Sequence, residues 1–265
     1  MAEPSSLVQA LVGSGLLILL AMARMGTFFA YSLIFGSSVM PAQMRNSLML
    51  VLALLALPLA AGEAAPPPVF DLAFLGLLGK EIFLGYLLAY AFNILFWIAE
   101  GVGLLIDHQR GASQASQADP LSENETSPLG SLLFQGAVMI FFGSGALLGL
   151  IGFFLESYVT WPIFSFWPDF GPRGIESVCA QFAFLMISLV TLAGPALIAC
   201  LLTDFGMGLI NRFAPQLNVF FLAMPIKSAF ALCVLIAYAA GLLSAFSGRL
   251  ADLDFFWFSL IQAVT

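Results

Sequence analysis

Residues 72–106 read LAFLGLLGKEIFLGYLLAYAFNILFWIAEGVGLLI, and the class of fold turns on this stretch. It is apolar almost throughout, yet it holds Lys80, Glu81 and Glu100. At about 1.5 Å per residue a continuous helix of this length exceeds one bilayer. The stretch is therefore either one tall helix or a helix broken near residues 76–85. A membrane β-barrel would show short segments of alternating polarity instead. The reading is helix in a lipid environment.

The rest of the chain agrees. Hydrophobic residues make up 61% of the 265 and charged residues only 9%, against about 25% charged in an ordinary soluble domain. Uncharged apolar runs occupy residues 7–23, 47–62, 82–99, 126–155, 177–203 and 228–248. Several reach the roughly 17–25 residues that a spanning helix needs. The expected fold is all-α, a polytopic helical membrane protein, organised as a single integral membrane domain over residues 1–265. The opening Met1-Ala2-Glu3-Pro4 lacks a basic n-region, so the first run is expected to remain as a helix that ends near Arg24. Residues 63–71, acidic and rich in proline, read as a stiff external loop. Residues 161–172, rich in Trp, Pro and Phe, suit an interfacial loop. The aromatic stretch at 255–261 is too short to span.

Charge and residue chemistry exclude several functions. The formal charge is −7 with eight Lys and Arg in total, which argues against nucleic acid as a partner because phosphate binding needs basic patches. Cys179, Cys200 and Cys233 are dispersed through apolar runs and read as buried, inert thiols. With one histidine, His108, and no paired cysteines, no metal or cofactor site is expected. No nucleophile–base pair, phosphate loop or carboxylate pair at catalytic spacing is present, so no catalytic residue is assigned.

A few polar residues stand where lipid would not receive them. Charges at mid-bilayer cost about 2.5–3.5 kcal/mol on insertion scales and usually face a bundle interior or cavity. Lys80 and Glu81, about 100° apart on a helix, are not expected to pair with each other. They mark either a helix end at the interface or a pair facing a cavity or another subunit. Arg24 is read as a flanking anchor or as a third buried or intersubunit charge. Asp204 and Lys227 bracket a segment with Asn211, Arg212, Pro215, Gln216, Asn218 and Pro225. Two prolines are expected to break the helix there, and broken backbone at membrane depth is tolerated only where protein or water lines it. This segment is either a simple interhelical turn or a packing surface or channel wall. Residues 107–127 form the one long polar stretch, unusual between bundle helices and more often functional or disordered.

Three of these segments carry a family resemblance. Gly103-Leu104-Leu105-Ile106-Asp107-His108-Gln109-Arg110-Gly111 comes first. Asp119-Pro120-Leu121-Ser122 with Ser127-Pro128-Leu129-Gly130 is second, and the third is residues 211–218 continuing through Met224-Pro225-Ile226-Lys227. Together they resemble the SctT/FliR family of the bacterial type III secretion export apparatus, with wording nearer the injectisome branch. The likeness runs over nearly the whole chain, including Gly79-Lys80-Glu81.

The resemblance implies a subunit of an inner-membrane export gate that passes unfolded protein substrates and performs no catalysis. It implies helical hairpins wound into a spiral with SctR-, SctS- and SctU-like partners, in contact with membrane lipid. It also implies that the loop holding Asp107, Gln109, Arg110, Gly111, Asp119, Pro120 and Leu121 plugs the closed channel. The segment with Asp204, Asn211, Arg212, Pro215, Gln216, Asn218, Pro225 and Lys227 would then shape packing or the channel entrance. The alternatives are a flagellar FliR-type component and a small-molecule secondary transporter. The latter predicts internal symmetry around broken helices, and none is convincing in this chain.

Overall fold

The computed structural model describes residues 4–36, 40–60, 72–111, 127–165, 174–214, 216 and 219–251. Those residues are helical wherever they are regular, with no strand among them. Seven helices follow in order: α1 (Pro4–Tyr31), α2 (Ala42–Ala60), α3 (Leu72–Arg110), α4 (Pro128–Gly143), α5 (Ala146–Thr160), α6 (Gly174–Phe213) and α7 (Val219–Ala251). Within these, Ala42–Leu59, Ala73–Arg110, Glu176–Phe213 and Phe221–Gly248 are long and apolar enough to cross a membrane. The interrupted pair α4 and α5 makes a fifth candidate if it counts as one span. The all-α, polytopic expectation holds.

Several local expectations change. The stretch that opened the sequence is one unbroken helix, α3, and two-thirds of its spanning window is buried inside the protein. The first helix does not end near Arg24 but continues to Tyr31. The run at 126–155 is not continuous, because Gly145 adopts φ +76° and separates α4 from α5. That left-handed conformation favours glycine, which has no Cβ to collide with the carbonyl. Pro225 lies inside α7, as Pro58 lies inside α2 and Pro195 inside α6. Neighbouring helices and side-chain hydroxyls in a membrane protein can satisfy what a proline frees.

Polar side chains in the spans largely return to their own helix. The hydroxyls of Thr27, Thr191 and Thr203 donate to the carbonyls of Ala23, Ile187 and Ala199, four residues earlier. This removes a free donor from an apolar environment without requiring a partner helix.

Two compact units are described separately: the described residues within 4–93 and 145–180 form the first, and those within 94–144 and 181–251 form the second. In the first, α2 packs on α1 and α5, and an aromatic cluster fills the core. Phe28 meets Phe154 edge-on at 4.4 Å and Phe92 at 5.4 Å, while Phe29 meets Phe35 at 4.8 Å. With lipid tails as apolar as leucine, such close van der Waals packing is what favours helix on helix over helix in lipid. Asn93, buried in the same unit, closes the end of α1. It accepts from the Leu33 backbone N–H at 3.0 Å and donates to the Tyr31 carbonyl at 2.8 Å. One amide thereby satisfies two groups that the helix end leaves open.

In the second unit α4 packs against α7, and the Tyr238 hydroxyl of α7 donates to the Leu192 carbonyl of α6 at 3.1 Å. An apolar cavity of about 260 Å³ lies among residues of α3, α4, α6 and α7, including Val102, Ala137, Leu192 and Leu242. Much of α6 and α7 is uncovered, with Ile187, Val190, Leu202, Phe205, Phe221 and Ile236 more than half exposed.

Candidate functional site

The first polar constellation is built on α1, α3 and the end of α5. Arg24 is fully buried, and each of its N–H groups has an acceptor. Nε reaches Glu81 Oε2 at 2.6 Å, and Nη2 reaches Glu81 Oε1 at 3.1 Å and the Trp161 carbonyl at 2.9 Å. Nη1 donates to the Ser157 carbonyl at 2.8 Å and to Ser157 Oγ at 3.3 Å. A guanidinium has five donors in a fixed plane, and five bonds are made. The Tyr158 ring lies 4.1 Å from the Arg24 carbon Cζ, a cation–π arrangement, and the Tyr158 hydroxyl donates to the Ala21 carbonyl at 3.0 Å.

Lys80 completes the cluster. Its Nζ donates to the carbonyls of Pro162, Ile163 and Ser165 at 2.9, 2.8 and 2.9 Å and lies 2.9 Å from Glu81 Oε1. Two cations thus share one carboxylate. The remaining positive charge faces backbone carbonyls at and beyond the C-terminus of α5, where a helix carries its negative dipole end. Residues 161–165 wrap an ammonium group, and Trp161 and Ile163 are buried; the rest of the stretch expected as an interfacial loop, residues 166–172, lies outside the described residues.

This arrangement decides between the expectations for Arg24, Lys80 and Glu81: all three are buried charges. Arg24 is not a flanking anchor, and the Lys80–Glu81 pair does not mark a helix end. The two residues do pair, because their long flexible side chains span the angle between adjacent helical positions. The partners that the described residues supply come from the same chain.

The second constellation sits where α3 ends and α4 begins. Asp107 is buried and accepts three hydrogen bonds: from Arg110 Nε at 2.7 Å, Ser127 Oγ at 2.6 Å and the Leu129 backbone N–H at 2.9 Å. Ser127 is the N-cap of α4 and accepts the Gly130 N–H at 2.9 Å, with Pro128 next in the chain. A carboxylate at a helix N-terminus meets unpaired donors and the positive dipole end together. Closeness is the other half of the joint. A Cβ at Gly103 would collide with the backbone of Leu129 and Gly130, and one at Gly130 would meet Ser127 Oγ and the Glu100 carbonyl. Gly111, at φ +85°, turns the chain out of α3 after its N–H donates to the His108 carbonyl.

The structure therefore brings together the two quoted motifs, residues 103–111 and 127–130, as a clasp between the chain on either side of residues 112–126. Asp107, Gln109 and Arg110 lie in the helix and Gly111 at its turn. Asp119, Pro120 and Leu121 lie outside the described residues.

The third constellation is the ion pair of Asp204 on α6 with Lys227 on α7, with side chains 38% and 19% exposed. Asn211, Arg212 and Gln216 are exposed near the end of the hairpin; Pro215 and Asn218 lie outside the described residues. The pair spans two helices of one chain and answers the search for a partner to each charge. Cys200 is buried as expected, but Cys179 and Cys233 are exposed.

Asn93, Ser157 and Ser127 were not singled out by residue chemistry. Asn93 had a signal, an amide alone in an apolar run. Ser127 had one too, a serine directly before proline at the start of an apolar helix. Ser157 acts mainly through its carbonyl, which no residue type announces.

Tall apolar helices with buried charges tied internally define a polytopic helical membrane protein. Comparison with known proteins then places it: bacterial export proteins, family 1, match residues 16–253, and the chain belongs to that family. It is 42% identical to Yop proteins translocation protein T of Yersinia pestis, over 76% of this chain and 77% of that protein. Surface presentation of antigens protein SpaR of Salmonella typhimurium is 30% identical over 83% of this chain and 81% of its own length. Flagellar biosynthetic protein FliR of Bacillus subtilis is 25% identical over 82% and 84%. The chain is a multi-pass inner-membrane protein of the bacterial export apparatus.

Proposed function

We propose that the chain is an export-gate subunit of a type III protein secretion apparatus, forming part of the inner-membrane conduit for unfolded substrates. The observation that carries this reading is the clasp. Asp107, Ser127, Gly103 and Gly130 tie the chain at both ends of residues 112–126, so that whatever the segment does, it does from a fixed base. On this reading the segment, with Asp119, Pro120 and Leu121, obstructs the conduit until secretion begins. Uncovered faces on α6 and α7 pack against SctR-, SctS- and SctU-like subunits, in a spiral built from the single membrane domain of residues 1–265. No step of the reading requires chemistry on a substrate. The identities of 42% and 30% to translocation and antigen-presentation proteins, against 25% to a flagellar one, favour the injectisome branch.

The test removes the obstruction and leaves the clasp. Deleting residues 112–120 in the assembled complex is expected to raise ion conductance across the membrane, with assembly unchanged. Wild-type conductance in a normally assembled complex would refute the plug.

A further inference from the structure

We propose that Asp204 and Lys227 are positioning residues for Gly111, the point where the chain leaves α3 for residues 112–126. By tying α6 to α7 at the level where α3 ends, they make α7 a second support for that exit, beside the clasp to α4. The proposal rests on the export-gate reading and names what holds the obstruction in place.

Contacts within the second unit set the levels of its helices. A Cβ at Gly101 would collide with the Leu189 side chain, so α3 and α6 touch closely there. Arg110 stands nine residues further along α3, and Cys200 eleven further along α6. At about 1.5 Å per residue the two have risen about 14 and 17 Å from that contact. They arrive together: Cys200 is buried, and the charged side chains that act on its thiol are Lys227, Asp204 and Arg110. The two helices therefore run in the same direction, and the end of α3 lies level with the Asp204–Lys227 pair.

Gly111 supplies the contact. A Cβ placed on it would lie 3.7 Å from Met224 Cγ on α7, an ordinary van der Waals distance. Met224 precedes Lys227 by three residues, and residues so spaced are neighbours on a helix surface. The residue beside the exit and the residue that holds α7 to α6 thus adjoin. Pro225, between them, removes a backbone hydrogen bond from this end of α7, which leaves more of its position to the ion pair. Charge agrees with an internal role. Asp107 with Arg110 and Asp204 with Lys227 are two neutral pairs beside one thiol, so the pair on α6 and α7 has its counter-charge within the chain and serves to hold this chain's own helices.

Ion conductance through the assembled complex tests this. Asp204→Asn is expected to leave assembly intact and to raise conductance about three-fold or more, the effect of one lost contact on a two-state equilibrium. Exchanging the charges, Asp204→Lys with Lys227→Asp, is expected to restore the wild-type value, and Asp204→Glu to stay near it. Added to a deletion of residues 112–120, Asp204→Asn is expected to change nothing further, because it acts through that segment. Met224→Ala leaves all four charges in place and is expected to raise conductance as Asp204→Asn does; it carries the test if Asp204→Asn does not assemble. Wild-type conductance of either variant in an assembled complex would overturn the proposal, as would a further rise in the deletion background. Loss of assembly by both variants would assign the residues to packing and overturn it too. The export-gate reading survives each of these results so long as the deletion alone raises conductance; a deletion without effect removes the reading itself.

Discussion

Arg24 shows how a membrane protein keeps a charge in its core. Its guanidinium is satisfied donor by donor, with Glu81 as the counter-charge and the carbonyls of Ser157 and Trp161 as neutral acceptors. Lys80 depends on the same carboxylate. Removing one partner of a buried pair leaves the other unpaired, at about 3–5 kcal/mol. Glu81→Gln is therefore expected to lower the thermal stability of the detergent-purified chain sharply, since it leaves two buried cations without a counter-charge. An unchanged melting temperature would mean the triad does not form. Arg24→Lys keeps the charge but loses the planar fork. Bonds to charged groups contribute about 1.5–3 kcal/mol each, so a smaller but clear drop is expected in the same measurement. The three charges stood out in the sequence as candidate buried groups, but their partners were not legible there. Arg24 and Glu81 are 57 positions apart, and the cage around Lys80 is backbone, which carries no residue signature.

Among the elements, the join of α3 to α4 works through both capping and contact. Ser127→Ala removes the N-cap acceptor and an Asp107 donor, and a lost cap costs about 0.5–2 kcal/mol. Glycines separate packing from mere composition. Gly103→Ala places a methyl against the backbone of Leu129 and Gly130, whereas Gly79→Ala on the same helix meets nothing within 4 Å. Gly103→Ala is expected to reduce stability and folded yield markedly, and Gly79→Ala to leave both near wild type. Equal effects would show that helix propensity, rather than the close approach, decides. Both motif halves were visible in the sequence, but their union was not. Reading residues 107–127 as one polar loop missed that Asp107 is buried inside α3 and holds the start of α4.

For the whole molecule, hydropathy was enough to establish an all-α membrane protein, because continuous apolar runs have few other solutions. It could not say which faces meet lipid and which meet protein. Residues 73–110 and 176–213 are similarly apolar, yet 67% of the first window is buried within the chain and 28% of the second. Hydropathy scores transfer from water and is blind to that difference. The uncovered α6 and α7, with Phe213 84% and Phe221 70% exposed, are the surface the proposed partners would cover. The most direct measurement is mass spectrometry of the detergent-solubilised complex isolated through a tag on this chain. The account predicts that SctR- and SctS-like subunits copurify in a defined assembly; recovery of the chain alone, as a stable monomer, would contradict it.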